Sequence, residues 1–241
     1  MSEKQVKTKR KVKRRLKVKG VLFLLVLFLV FFLSIKMILK LNIVTVVVTG
    51  NNYMKDSEII KSAGFANETK IFGFKSKDVC NELLKNELIA TCKIERKLDL
   101  KVEIKITENV PLFYYTSESS VILSNGGRVK EMSIPGIPTL INLTTEKVLN
   151  EFIAGLSDVK SDIIRSISEI EYSPSVADNG TFIDEERFIL SMTDGNTVII
   201  NNRHLDVLNH YDTIYATLGD RKGTLNFDCD FGNYPFTEYG E

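Results

Sequence analysis

The chain has 241 residues and holds 32 Lys and Arg against 31 Asp and Glu, but the charges are segregated. Residues 1–42 carry +11 and residues 43–241 carry −10, a division that excludes a uniform soluble globule and points to a membrane or polyanion near the N-terminus. An apolar content of 44% excludes a chain without a core.

Residues 1–20 form a basic tail with ten Lys and Arg and a single acid, Glu3. Val21 to Ile35 is then uncharged, and the apolar run resumes after Lys36 as Met37-Ile38-Leu39. At about 1.5 Å per residue, Val21–Leu39 reaches about 28 Å, close to the hydrocarbon thickness of a bilayer. The first alanine anywhere is Ala63, so no small-residue cleavage site follows the run. Residues 21–41 therefore predict an uncleaved signal anchor, with the Lys36 stem in the acyl region and its ammonium at the interface. The basic excess before the span predicts a cytoplasmic N-terminus and an extracytoplasmic remainder. Setting topology is the simplest role for the tail, with attraction to anionic headgroups as an addition. Nucleic-acid binding fits poorly, because no aromatic residue interleaves the cations.

Beyond the span, Ile43–Val48 is β-branched and reads as a strand stopped by Gly50-Asn51-Asn52. Asp56 is placed to cap a short helix that buries Ile59, Ile60 and Ala63 and ends at Gly64. Ser76 is placed to cap a second helix, with Val79, Leu83, Leu84 and Leu88 at helical spacing. Ala90–Arg96 and Asp99–Ile106 alternate apolar with charged residues, as half-buried antiparallel strands do. The resulting order, β-α-α-β-β over residues 42–110, lets both helices cover one face of a three-stranded sheet. A Cys80–Cys92 bridge is conceivable there, but buried free thiols are the expected state; Cys229 carries no readable role.

Pro111 marks the start of a second, β-rich region over residues 111–233, which makes the fold class α+β. Val121–Leu123 and Arg128-Val129 flank Asn125-Gly126-Gly127 as a hairpin. Ile134–Pro138 contains two prolines and predicts a loop. A helix is expected over Glu146–Gly155, then strands near Ser168–Tyr172, Arg187–Met192 and Thr197–Ile200. Asn202 is placed to cap one helix running to Gly219. The last strand is predicted over Gly223–Cys229, and residues 234–241 read as a short tail.

Groups for catalysis do not converge. His204 and His210 are six apart, about 240° around a helix axis, and so diverge. No nucleophile elbow or phosphate-binding glycine loop is present. Asp184-Glu185-Glu186 reads as a solvated loop, since three successive side chains cannot all point one way. Neither cofactor nor metal nor enzymatic activity is expected.

Three stretches together resemble the bacterial cell-division family FtsQ/DivIB. The first is Val46-Val47-Val48-Thr49-Gly50-Asn51 with Glu58-Ile59-Ile60, Gly64 and Ile71-Phe72. The second runs from Cys92-Lys93-Ile94-Glu95-Arg96 through Val102–Glu108 to Pro111. The third comprises Ile137-Pro138, Leu140, Asp194-Gly195 and Lys222-Gly223 with Leu225-Asn226-Phe227, Gly232 and Pro235. The resemblance implies a single-pass protein with a POTRA domain and then a β domain; the chain departs from the family's pattern in a very short cytoplasmic tail and in lacking the extra C-terminal tail of some Gram-positive members. It implies a non-enzymatic scaffold at the division septum that binds bitopic proteins of the FtsL and FtsB/DivIC types, and neither nucleic acid nor a small-molecule substrate. Partner binding would fall on Thr224, Leu225, Asn226, Phe227 and Asp228 as an edge strand. Gly232, Tyr234 and Phe236 would add to it, although Leu225 and Phe227 read equally as core. The competing expectation is a POTRA-bearing accessory of protein translocation or secretion, which would call for a membrane β-barrel.

Overall fold

The computed structural model describes residues 18–66, 68–130, 132–229 and 234–240. The basic run up to Lys17 and the predicted Gly232 lie outside them. Helix α1, Val18–Ile38, has 21 residues, begins three residues before the predicted span and buries none of its side chains. At about 31 Å it is long and apolar enough to cross a bilayer. Its few polar groups are handled internally: Ser34 Oγ donates to Val30 O at 2.9 Å, and Lys36 Nζ lies 5.0 Å from the Phe32 ring centroid.

The first unit contains β1 (Thr45–Thr49), α2 (Asp56–Ser62), α3 (Ser76–Leu83), β2 (Ile89–Arg96) and β3 (Lys101–Glu108). β3 lies centrally, parallel to β1 and antiparallel to β2. The alternation of β3 decides its faces: Val102, Ile104 and Ile106 are buried with Ile59 and Leu83, while Lys101 is exposed and Lys105 half-buried. Both helices begin at a lysine cap, Lys55 and Lys75, one residue ahead of the predicted Asp56 and Ser76. Asp56 instead accepts from Asn51 Nδ2 at 2.7 Å. Glu108 accepts from the backbone N–H groups of Asn52, Tyr53 and Met54 at 2.6, 2.7 and 2.9 Å, so the strand end and the turn after Gly50 hold each other. The expected free thiols are overturned: Cys80 and Cys92 are half-buried and bridged, because α3 crosses β2 with their Cα atoms 5.5 Å apart.

The second unit is built on β4 (Pro111–Tyr115), β5 (Ser120–Leu123), β6 (Arg128–Lys130), β7 (Thr139–Leu140), β8 (Ile167–Tyr172), β11 (Arg187–Met192), β12 (Thr197–Asn201), β13 (Gly223–Asn226) and β14 (Phe236–Glu238). They form one sheet in the order β14-β13-β12-β11-β8-β7-β4-β5-β6. A small hairpin, β9 (Ser175–Val176) and β10 (Phe182–Asp184), stands apart from it. Helix α4 (Glu146–Ser157), α5 (Ser161–Arg165), a 3₁₀ segment (Asn202–His210) and α6 (Tyr211–Leu218) contribute to the core. Phe152 stacks on Phe188 at 4.1 Å and meets Phe113 at 5.9 Å. β5 is buried on both faces: Ile122 belongs to this core, while Val121 and Leu123 join the core of the first unit.

Pro111 begins both the second unit, as expected, and a strand, a position at which a missing N–H is tolerated. Two expectations change here. The single helix predicted from Asn202 is broken, with His204 at φ −118° and Asn201 as the cap accepting from Arg203 N at 3.0 Å. The residues assigned to a tail include β14, which pairs antiparallel with β13.

Candidate interaction edge

Thr224–Asp228 does not form an edge strand as predicted. β13 ends at Asn226, whose Oδ1 accepts from Asp228 N at 2.9 Å and turns the chain. It is flanked by β12 in parallel and by β14 in antiparallel register, with Thr224 opposite both Thr197 and Thr237. The sheet margin is therefore β14.

The hydrogen bonds define which way β14 faces. Asn226 N donates to Pro235 O at 2.9 Å and Tyr239 N donates to Lys222 O at 3.0 Å. Alternation along an antiparallel pair then turns the backbone groups of Pro235, Thr237 and Tyr239 toward β13 and those of Phe236 and Glu238 outward. Of the predicted side chains, Leu225 and Phe227 are buried. Tyr234 is half-buried edge-on against Phe227 at 4.9 Å, and half-buried Phe236 has the Arg221 guanidinium 5.5 Å from its ring centroid. Thr224, Asn226 and Asp228 are half-buried, so among the described residues Phe236 is the one predicted residue on the margin itself.

Support for this edge comes from residues the sequence reading passed over. Asn196, buried in the turn after Asp194-Gly195, accepts from Gly223 N at 3.1 Å and donates to the Tyr211 hydroxyl at 3.4 Å. Tyr211 donates to Asp194 Oδ2 at 2.7 Å, and its burial pushes the phenol upward in pKa. One polar network thus fixes the start of β13, the β11–β12 turn and α6. At the other end, fully buried Asn201 donates to Asp228 Oδ1. Burial, then a hydrogen bond to Asp184, raises the Asp228 carboxyl above its usual range. The only advance signals were a short Asp-Gly-Asn turn and paired asparagines.

The opposite margin, β6, is short and cationic, and its Arg128 is held by Glu118 at 3.1 Å and Glu146 at 3.0 Å. Among the described residues no group of three His, Cys, Asp or Glu is arranged to hold a metal ion. Asp184 Oδ1 accepts from Glu186 N at 2.9 Å, a local turn.

The domain model described as "POTRA domain, FtsQ-type" matches residues 41–109, the first unit. The cell division protein DivIB of Bacillus anthracis is 28% identical over 241 residues, covering 97% of this chain and 87% of that protein. DivIB of Bacillus subtilis (strain 168) is 26% identical, covering 96% and 89%. DivIB of Clostridium tetani (strain Massachusetts / E88) reaches 36% over 91 residues, covering 37% and 34%. Through the apolar helix, the FtsQ-type unit and the β-rich unit, the chain is similar over nearly its whole length to the cell division protein DivIB of these bacteria.

Proposed function

We propose that the protein is a non-enzymatic, single-pass scaffold of the division machinery whose β14 margin captures small bitopic partners. Their chemistry would be that of the FtsL and FtsB/DivIC types, and their capture would support septal peptidoglycan synthesis. The observation that carries this reading is the outward backbone of Phe236 and Glu238 on a strand that ends a nine-stranded sheet. A partner segment adding there gains main-chain bonds of about 0.5–1.5 kcal/mol each and an apolar contact at Phe236. The likeness to DivIB supports a division role, and the basic charge before α1 supports a cytoplasmic N-terminus with both units outside. One groove also suits docking more than turnover: it is lined by Tyr114, Val121, Met132, Ile134 and Ile137 with two serines and a threonine.

Glu238→Pro tests the site. It deletes an outward donor while leaving the bonds of Pro235 and Tyr239 to β13 in place. Full-length protein purified in detergent is expected to lose capture of the partner pair by about tenfold or more, as the loss of about 1.4 kcal/mol dictates. Unchanged capture, with circular dichroism showing the fold intact, would remove β14 as the site.

A further inference from the structure

The first unit carries apolar side chains where turns ordinarily carry polar ones. β1 leaves the end of α1 after a short connection in which Ile43 N donates to Thr69 O, Ile71 N to Leu41 O and Val44 N to Leu100 O. The 68–75 loop and the β2–β3 turn therefore meet the chain where it emerges from α1. Arg96, at the end of β2, fixes the same place: it donates to Ile71 O, Phe74 O and Ser76 Oγ at 2.8, 2.7 and 3.1 Å, with its guanidinium 4.3 Å from the Phe74 ring centroid. The other end of the sheet, at Thr49 and Glu108, leads away to the second unit.

On this end Leu98 sits in the turn between β2 and β3 with a relative exposure of 106%. Phe72 sits in the turn closed by Gly73 N and Lys70 O, 50% exposed, and Val44 is 71% exposed. Turn positions favour Gly, Asn, Asp, Pro and Ser, so two large apolar residues at such positions gain nothing from the fold itself. Leu100 even adopts φ +61°, a left-handed conformation that costs a leucine, to carry the turn. Lys40, Lys70 and Lys75 stand along the same chain segments, exposed and without an ion pair among the described residues.

We infer that this end of the first unit is a lipid-binding rim, in which Leu98, Phe72 and Val44 enter the bilayer interface and Lys40, Lys70 and Lys75 face anionic headgroups. The inference rests on the reading of α1 as a membrane span, since the connection after Ile38 leaves the rim no room to stand far from the surface. Insertion of exposed apolar groups beside cations is the way peripheral surfaces hold lipid. The rim would fix the tilt of the unit on the membrane and so the height at which the β14 margin is offered.

The chain contains no tryptophan, so single-Trp variants report position directly. Full-length Leu98→Trp, Phe28→Trp (within α1) and Leu143→Trp (73% exposed on the second unit) are reconstituted in vesicles of phosphatidylcholine with a minority of phosphatidylglycerol, with or without brominated acyl chains. Expected is blue-shifted emission and bromolipid quenching for Leu98→Trp and Phe28→Trp, and red, unquenched emission for Leu143→Trp. Quenching of Phe28→Trp without quenching of Leu98→Trp overturns the rim alone. Blue-shifted but unquenched Leu98→Trp would assign the surface to a second copy and overturns it equally. An unquenched Phe28→Trp overturns the span, and the rim with it.

Discussion

Gly223 shows how one hydrogen atom can decide the shape of a binding margin. A Cβ built there would lie 2.1 Å from Thr237 O and 2.9 Å from the Glu238 Cα, both backbone atoms that cannot swing aside. Gly223→Ala is expected to push β14 off β13 at a cost of about 1–3 kcal/mol, read as faster amide exchange at Asn226 and Tyr239. Unaltered exchange would mean that β14 is not seated as described. Asp228 gives the pH prediction. Burial and Asp184 raise its pKa, so the folded state holds the proton more tightly than the unfolded one. The stability this contributes is present at acid pH below the usual Asp range and is lost as pH rises through the folded value. Asp228→Asn should therefore raise the melting temperature at neutral pH relative to wild type, with the gain shrinking toward acid pH. A neutral-pH loss would contradict this. Phe227 makes a poor probe of binding, because it is fully buried and Phe227→Lys would unfold the unit before it reported on a partner. Asn226→Pro is no cleaner, since the Asn226 N–H bonds to Pro235 O inside the sheet.

At the scale of elements, the first unit was legible because its signals are local. Alternating Val102, Ile104 and Ile106 named their own face, and Gly50 and Gly64, both at positive φ, marked real chain reversals. The Cys80–Cys92 bridge was not legible, because α3 and β2 meet only through tertiary packing. It closes a separation of 12 residues, for which the loop-entropy relation gives about 2–3 kcal/mol. Reductant should lower the wild-type unfolding free energy by that amount, read as a lower urea midpoint at unchanged slope, and leave a Cys80→Ser, Cys92→Ser double variant unmoved; a reductant-insensitive wild type would deny the bridge. β14 escaped the sequence reading for a different reason. Three residues after a proline carry too little period to announce a strand, and the pairing depends on Gly223 lying opposite Glu238. The break at His204 was equally hidden, since Leu205, Leu208 and Tyr211 are buried in either helix type.

For the whole molecule, charge segregation and one apolar run already implied a tether with a folded platform beyond it, and the structure adds how the two units are tied. β5 contributes Val121 and Leu123 to one core and Ile122 to the other, so a strand buried on both sides joins them. Strand order was beyond sequence reasoning, because the parallel neighbours β4, β7 and β8 are brought together by crossovers that no local pattern encodes. The central claim is that a membrane-anchored platform recruits division partners through its terminal strand. A photo-crosslinking amino acid at position 238 of the full-length protein in dividing cells tests it, with position 151 on the exposed face of α4 as the control. The account predicts adducts with small bitopic proteins from position 238 and none from position 151. Protein concentrated at midcell that forms no adduct from position 238 would contradict it.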